Sequence, residues 1–318
     1  MTEQNNNWER GILEKLAMSA VQEQRRARHW GIFFKTLTFA FLFIMLALYM
    51  GWTGGGRSDK SSNGKHTALV ELTGVIAADT PASADNVIDG LQEAFKDKHT
   101  EGVILRINSP GGSPVQAGYI NDEIRRLRAK YPKIPLYVVV EDMCASGGYY
   151  VAAAADKIYV NKASIVGSIG VLMDGFGFTG TMEKFGVERR LLTAGENKGF
   201  LDPFSPISPK QKEFALTMLA QIHQQFIDVV KQGRGKRLKE TPETFTGLFW
   251  TGQKSIEMGL ADEIGSVDSV AREVIKAEDI VDFTNHEGIA DRLAKKFGAG
   301  VVSAFPGLSS QLNGMSLR

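Results

Sequence analysis

The sequence predicts an α/β domain built on a largely parallel sheet, preceded by a single membrane-spanning helix. Three observations carry that prediction. From Thr67 onward, apolar β-branched runs alternate with amphipathic helical stretches, the order that gives parallel strands joined by crossover helices. Upstream, Thr36 through Trp52 carries no charged residue. Between the two lies Gly54 to Gly64, rich in Gly and Ser, with the composition of a flexible linker.

Taken in order, residues 1–30 begin polar. Trp8, Ile12, Leu16 and Ala20 then recur at every fourth position, joined by Leu13, Ala17 and Val21. That spacing predicts a helix with one apolar stripe, lying on the membrane surface, against a partner, or against its own protein. Arg25, Arg26 and Arg28 follow. As a helix, the uncharged run reaches about 26 Å, short of a hydrocarbon core of about 30 Å. If Lys35 snorkels, the helix starts at Gly31 and reaches about 33 Å, which suffices. Residues 31–52 are therefore read as the transmembrane helix. A cleaved signal peptide fits less well, because its charged leader is too long and no A-x-A site follows. The arginines place residues 1–30 in the cytoplasm and everything after the helix outside. Residues 53–66 form a linker with a random-coil reach of roughly 20 Å.

The soluble domain is assigned to residues 67–280. Ala68–Leu72 and Gly74–Ile76 read as strand, Asp85–Lys98 as helix, Gly102–Ile107 as strand and Val115–Lys130 as helix. Leu136–Val140 has the apolar density of a strand buried on both faces. Val151–Ala155 is a small-residue helix suited to packing on a sheet. Lys157–Val160 and Arg190–Thr193 are further strand candidates, and Lys210–Gln232, Ser255–Met258 and Val267–Ala277 read as helical. Residues 281–318 form a tail in which Ile289–Phe305 mixes apolar residues with Arg292, Lys295 and Lys296.

Composition narrows the function. A net charge of +1 over 318 residues gives no field directed at nucleic acid. Cys144 is the only cysteine, so an internal disulfide and a Cys-rich metal site are both excluded. The five histidines are scattered, without H-E-x-x-H or any ligand spacing, so neither a metal nor a cofactor is expected.

The stretch with chemical content is Met143-Cys144-Ala145-Ser146-Gly147-Gly148-Tyr149-Tyr150. It puts a serine where a strand turns into a helix, beside unpaired N–H groups and the positive end of the helix dipole. Gly147 and Gly148 permit close approach of a substrate. Taken alone, the stretch is equally a strand–helix junction capped by Ser146. A serine nucleophile needs a base, and no histidine sits in a suitable motif. A desolvated lysine can serve, since burial disfavours the ammonium form. Lys198 is the candidate, in a Gly-flanked loop after a predicted strand, although by spacing alone it is one solvated lysine among many. Asn108-Ser109-Pro110-Gly111-Gly112 ends another strand and can turn a peptide N–H toward a neighbouring pocket, with the N–H of Gly147 as a second donor to an oxyanion. Alone it reads as a Pro-Gly turn.

Together, N-S-P-G-G, A-S-G-G-Y-Y, G-S-I-G-V and G-E-N-K, in this order, resemble the signal peptide peptidase A (SppA) family of membrane-anchored Ser–Lys peptidases, over roughly residues 67–280. The separations between Ser146, Ser168 and Lys198 also match that family. The resemblance implies a Clp protease/crotonase-like fold, with Ser146 as nucleophile and Lys198 as general base. It implies that Ser168 orients the lysine and that Gly111 or Gly112 donates at the oxyanion site. Members of this short form are dome- or ring-shaped homo-oligomers in which the lysine reaches a neighbour's serine, so an isolated monomer is expected to be inactive. Phe245–Gly252 and Gly259–Gly265 also resemble the family and read as scaffold. One departure stands out. The lysine loop continues Gly199-Phe200-Leu201-Asp202-Pro203, where many relatives place an acidic residue directly after the lysine.

The expected function is endopeptidase action on remnant signal peptides and other apolar membrane-associated peptides, at the outer side of a bacterial inner membrane. Two alternatives stay open from the sequence. One is a crotonase-type acyl-CoA enzyme, which the outward orientation disfavours. The other is a non-catalytic membrane scaffold with a vestigial site.

Overall fold

The computed structural model describes residues 3–49 and 64–285, which fall into two units, the N-terminal helix in one and the α/β domain in the other. The first unit is α1 (Glu3–Tyr49), one unbroken helix that passes through Gly31 without interruption. Its stretch Gln22–Leu46 is long and apolar enough to cross a membrane. The two threonines in that stretch do not leave their hydroxyls unpaired. Thr36 Oγ1 donates to the carbonyls of Ile32 and Phe33, and Thr38 Oγ1 to that of Phe34, which removes the cost of a bare hydroxyl in lipid. Trp30, Phe33 and Phe34 cluster where charge gives way to apolar sequence, with ring centroids 5.7–5.8 Å apart. Most of the expected linker and the tail element Ile289–Phe305 lie outside the described residues.

The domain is organised around β1 (His66–Thr73), β2 (Thr100–Ser109) and β3 (Leu136–Ala145), paired in parallel. Their connections are the helices α2 (Ala84–Lys96) and α3 (Pro114–Lys130). Both helices start as sequence dictates. Ser83 accepts from Asn86 N–H, Ser113 accepts from Gln116 N–H, and Pro114 fills the first turn. Val87, Leu91, Phe95, Ile120, Ile124 and Leu127 are buried on one side of the sheet, against Val70, Leu105 and Val138. At roughly 1.5–3 kcal/mol per large apolar side chain withdrawn from water, this layer dominates the stability of the domain.

After β3 come α4 (Gly147–Ala152), β4 (Lys157–Val160) and β5 (Ile165–Gly167). The strands β4 and β5 pair with successive parts of β3, at Tyr137–Val139 and Met143–Ala145. Next are the short α5 (Thr179–Lys184) and the long α6 (Pro209–Arg234), whose start is a full capping box of Ser208 and Gln211. The strand β6 (Phe249–Thr251) lies antiparallel on β5 and leads into α7 (Gly252–Glu257). The chain ends with β7 (Glu263–Ile264) on β4 and α8 (Val267–Ser269), which continues as one π-helical turn through Ile275. Finally, β8 (Ile280–Asp282) lies parallel on β1. The strand order is β6-β5-β3-β2-β1-β8, with β4 and β7 beside the first half of β3. This mixed sheet with crossover helices is the α/β class expected, consistent with a Clp protease-like fold.

Several expectations are corrected. Arg190–Thr193 is not a strand; no other segment pairs with it, and Leu192 is 96% exposed. A strand is defined by its partner, and this chain supplies none there. Gly74–Ile76 contributes one isolated bridge, Ile76 to Gly112, because β1 ends at Thr73 and Gly74 turns with φ 93°. The packed unit also continues past residue 280, since Phe283 is buried and Thr284 Oγ1 accepts from Glu71 N–H.

A charged contact sits at the edge of this apolar frame. Arg234, 1% exposed, closes α6 by donating to both Asp262 carboxylate oxygens at 2.8 and 2.9 Å and to the Gly259 carbonyl. Burial pushes the Asp262 carboxyl up, but the Arg234 guanidinium, helped by the Ile158 N–H and Arg237, outweighs it, and the net result lies below the ordinary carboxylate value.

Candidate active site

Ser146 sits at the last turn of β3, as the residue before α4, with φ 51° and ψ −122°. A non-glycine residue in that region costs about 1–3 kcal/mol and persists only where its surroundings enforce it. Here they do. Ser146 N–H donates to Gly167 O at 2.8 Å, and Ser146 O accepts from Tyr150 N–H at 3.0 Å. The Oγ is left without a capping bond and faces a cleft of about 580 Å³. Pro110, Gly112, Gly147, Tyr150, Ser168, Phe226 and Gly247 are among the residues lining it.

The strand-end glycines separate into two roles. Gly111 N–H donates to Ser109 Oγ at 3.1 Å, and that hydroxyl in turn donates to Gly74 O at 2.7 Å. Gly112 and Gly147 make no backbone N–H bond within the described residues. They are close neighbours, since a methyl on Gly147 would lie 3.2 Å from Gly112 N. There is no room for a side chain on Gly112, because its first carbon would lie 2.1 Å from Ile76 O. Two free N–H groups therefore belong to neighbouring residues on the cleft that Ser146 also lines. This arrangement can stabilise negative charge on an oxygen bound in the cleft.

Ser168 follows β5 and is the second non-glycine residue of the site with positive φ, at 52°. Its N–H donates to Leu248 O at 2.7 Å, and the next carbonyl, of Ile169, is held by His223 Nε2 at 3.1 Å. Both Ser146 and Ser168 line the one cleft. Lys198 does not. It is exposed, on a segment running from Val171 to Ser208 that is solvated along most of its length. That segment has order of its own: Phe178 stacks on Phe204 at 5.5 Å, and Arg189 reaches Asp202 at 3.4 Å. The Ser205 hydroxyl, with Arg189, holds the Asp202 carboxyl below its ordinary value. The segment also exposes Leu172, Phe176, Phe185 and Leu192, each at 79% or more.

Residues not singled out by the sequence complete the walls. Tyr150 packs on Phe226 of α6 at 5.2 Å, and both face the cleft. Burial pushes the Tyr150 phenol up. Thr246 and Gly247 close another side, from the segment read as scaffold. The one-turn spacing from Ser146 to Tyr150 was a usable signal, whereas nothing local marked Thr246. Cys144, two residues before Ser146, points into the core, and burial pushes its thiol far up. Among the described residues no cluster of three His, Cys, Asp or Glu could hold a metal ion.

One family model and several relatives with peptidase names match the chain. Residues 128–281 match the model of peptidase family S49. A putative protease of Synechocystis is 30% identical over 207 residues, covering 65% of this chain and 72% of that one. A putative signal peptide peptidase SppA of Enterococcus faecium is 29% identical over 235 residues, covering 71% and 67%. A protein of Brucella melitensis called the Na(+)/H(+) antiporter NhaA is 47% identical over 182 residues, which are 57% of this chain but only 25% of that protein. The chain thus corresponds to about a quarter of the length of that relative.

Proposed function

We propose, on the premise that this chain belongs to peptidase family S49, that it is a membrane-tethered serine endopeptidase with Ser146 as nucleophile and Lys198 as general base. The observation that carries the reading is the strained Ser146, its hydroxyl uncommitted beside the free N–H groups of Gly112 and Gly147. In the reaction, Ser146 Oγ attacks the scissile carbonyl and gives its proton to the lysine. The oxyanion is held by the two backbone donors. As the tetrahedral species collapses, the C–N bond breaks and the lysine returns the proton to the leaving amine. The acyl-enzyme is then hydrolysed by a water that the same lysine deprotonates. Ser168 orients the lysine.

Because Lys198 is exposed and is not among the residues lining the cleft, the base comes from a neighbouring copy. The exposed Leu172, Phe176, Phe185 and Leu192 support this, since apolar side chains at that density on one segment mark an interaction surface. A lysine withdrawn from water at such a boundary gives up its proton more readily. The cleft is walled by Tyr150, Phe226, Ile222 and Leu172, which suits apolar peptides such as remnant signal peptides. The apolar half of α1 keeps the enzyme at the membrane where such peptides remain, with residues 1–30 in the cytoplasm.

The deciding experiment treats purified, assembled full-length protein with a fluorophosphonate probe and maps the adduct by mass spectrometry. The adduct is expected on Ser146, and Ser146→Ala is expected to lose both the adduct and cleavage of an apolar peptide. Absence of an adduct on active protein, or cleavage by the variant at the original rate, overturns the assignment.

A further inference from the structure

The segment Phe245–Gly252 carries the family resemblance but has no part in the chemistry described so far, and its packing gives it one. The indole of Trp250 lies against Gly167: a methyl there would come within 2.8 Å of Cε3 and Cζ3 of the ring. Gly167 has φ 118°, and its carbonyl is the acceptor for Ser146 N–H. The next residue is Ser168, whose N–H is held by Leu248 O, two residues before Trp250. Both serines with positive φ are therefore fixed through one point, the end of β5, and that point is clamped from one side by three residues around β6. Val166 is paired with Trp250 and Gly167 with Phe249, so ring and backbone act on the same two residues. Only glycine at 167 leaves room for the ring. No other strand pairs with β6 among the described residues, so at this end of the sheet the ring adds its packing on Gly167 to the β5–β6 ladder.

We propose that Trp250 is a positioning residue for the serine pair. It acts through Gly167, keeping Ser146 in its strained conformation and Ser168 in place, and it touches neither substrate nor the reacting atoms. The inference rests on the reading of Ser146 as nucleophile, but its structural half can be tested without activity. Trp250→Leu keeps an apolar side chain and removes the flat ring; Trp250→Phe restores a flat ring of smaller area.

The test is amide hydrogen exchange on the assembled full-length protein, together with the rate of fluorophosphonate labelling and steady-state cleavage of an apolar peptide. For Trp250→Leu, exchange at the amides of Ser146 and Ser168 is expected to speed up at least tenfold, while amides in β2 stay as protected as before. Labelling and kcat are expected to fall at least tenfold with KM within about threefold, and Trp250→Phe to recover most of the loss. If Trp250→Leu does not fold, Trp250→Phe carries the test, with at least threefold faster exchange at the same two amides. Unchanged exchange at those amides in Trp250→Leu, or in Trp250→Phe where only that variant folds, overturns the inference. So does loss of protection throughout β2 as well, which would make Trp250 a general packing residue. Labelling failure in the unaltered protein would instead count against the serine-peptidase reading and leave the exchange result standing.

Discussion

Ser146 and Gly167 are joined by a 2.8 Å hydrogen bond from the serine N–H to the glycine carbonyl. That bond links the end of β3 to the end of β5, and it sets the Ser146 backbone before any substrate arrives. The proposed nucleophile is therefore preorganised within one chain, whereas the proposed base is not. The two halves of the proposed dyad therefore differ in how a single chain holds them, and they can be separated by experiment.

The clearest separation is complementation. Ser146→Ala and Lys198→Ala are each expected to lower peptide cleavage at least 10³-fold as pure assemblies. Co-assembled in equal amounts they should regain about a quarter of the original rate, because a random mixture pairs an intact serine with a neighbour's intact lysine at that frequency. Recovery of none, from assemblies shown to be mixed, would place both groups in one chain.

Gly147→Ala tests the backbone donors. The added methyl lies 3.2 Å from Gly112 N and 3.5 Å from Ala117 Cβ, close enough to screen the donor with little overlap. Activity should fall about 10²–10³-fold in kcat, with the melting temperature within a few degrees of the original. An unchanged kcat would remove Gly112 N–H from the oxyanion site.

Leu192 is 96% exposed in the single chain, so Leu192→Glu should alter the stability of an isolated domain by no more than about 0.5 kcal/mol. Burial at a contact between copies would make the same change disruptive. Size-exclusion with light scattering is expected to show a smaller species with unchanged far-UV circular dichroism and no peptidase activity. An intact, active assembly would show that this residue is not at the contact.

The Arg234–Asp262 pair predicts both a mutational and a pH effect. Arg234→Ala leaves a mostly buried carboxylate without its bidentate partner and should cost about 3–5 kcal/mol, read by urea unfolding. Since the native Asp262 carboxyl lies below its ordinary value, the unfolded chain takes up that proton first as pH falls. The stability from this pair is thus complete above about pH 5 and is lost as pH drops through the depressed native value. Arg234→Ala should flatten that acid limb. A limb of equal steepness in the variant would assign it to other carboxylates.

Much of this was legible in the sequence, for physical reasons. The strands β2 and β3 are buried on both faces and read as continuous apolar runs. The helices α2, α3 and α6 were read to within two residues of their observed starts, which Ser83, Ser113 and Ser208 cap. The short strands were not legible. Three residues such as Ile165–Gly167 or Phe249–Thr251 carry too little periodicity to register, and their pairing is decided by tertiary contact. Leu191-Leu192-Thr193 misled in the opposite direction, having strand composition but no partner. At the site, glycine spacing marked the Ser146 and Gly112 turns. The positive φ of Ser146 and Ser168 left no trace, because it is enforced by partners distant in sequence, Gly167 for the first and Leu248 for the second. The role of Trp250 was hidden for the same reason: it depends on a glycine more than eighty positions earlier.

The sealed position of Cys144 has a practical side. It is the chain's one thiol, and it is closed off from solvent. A maleimide dye or spin label added to the folded protein will therefore find only a cysteine introduced at the surface. Probes placed along the Val171–Ser208 segment can report distances between copies without first rebuilding the residues beside Ser146.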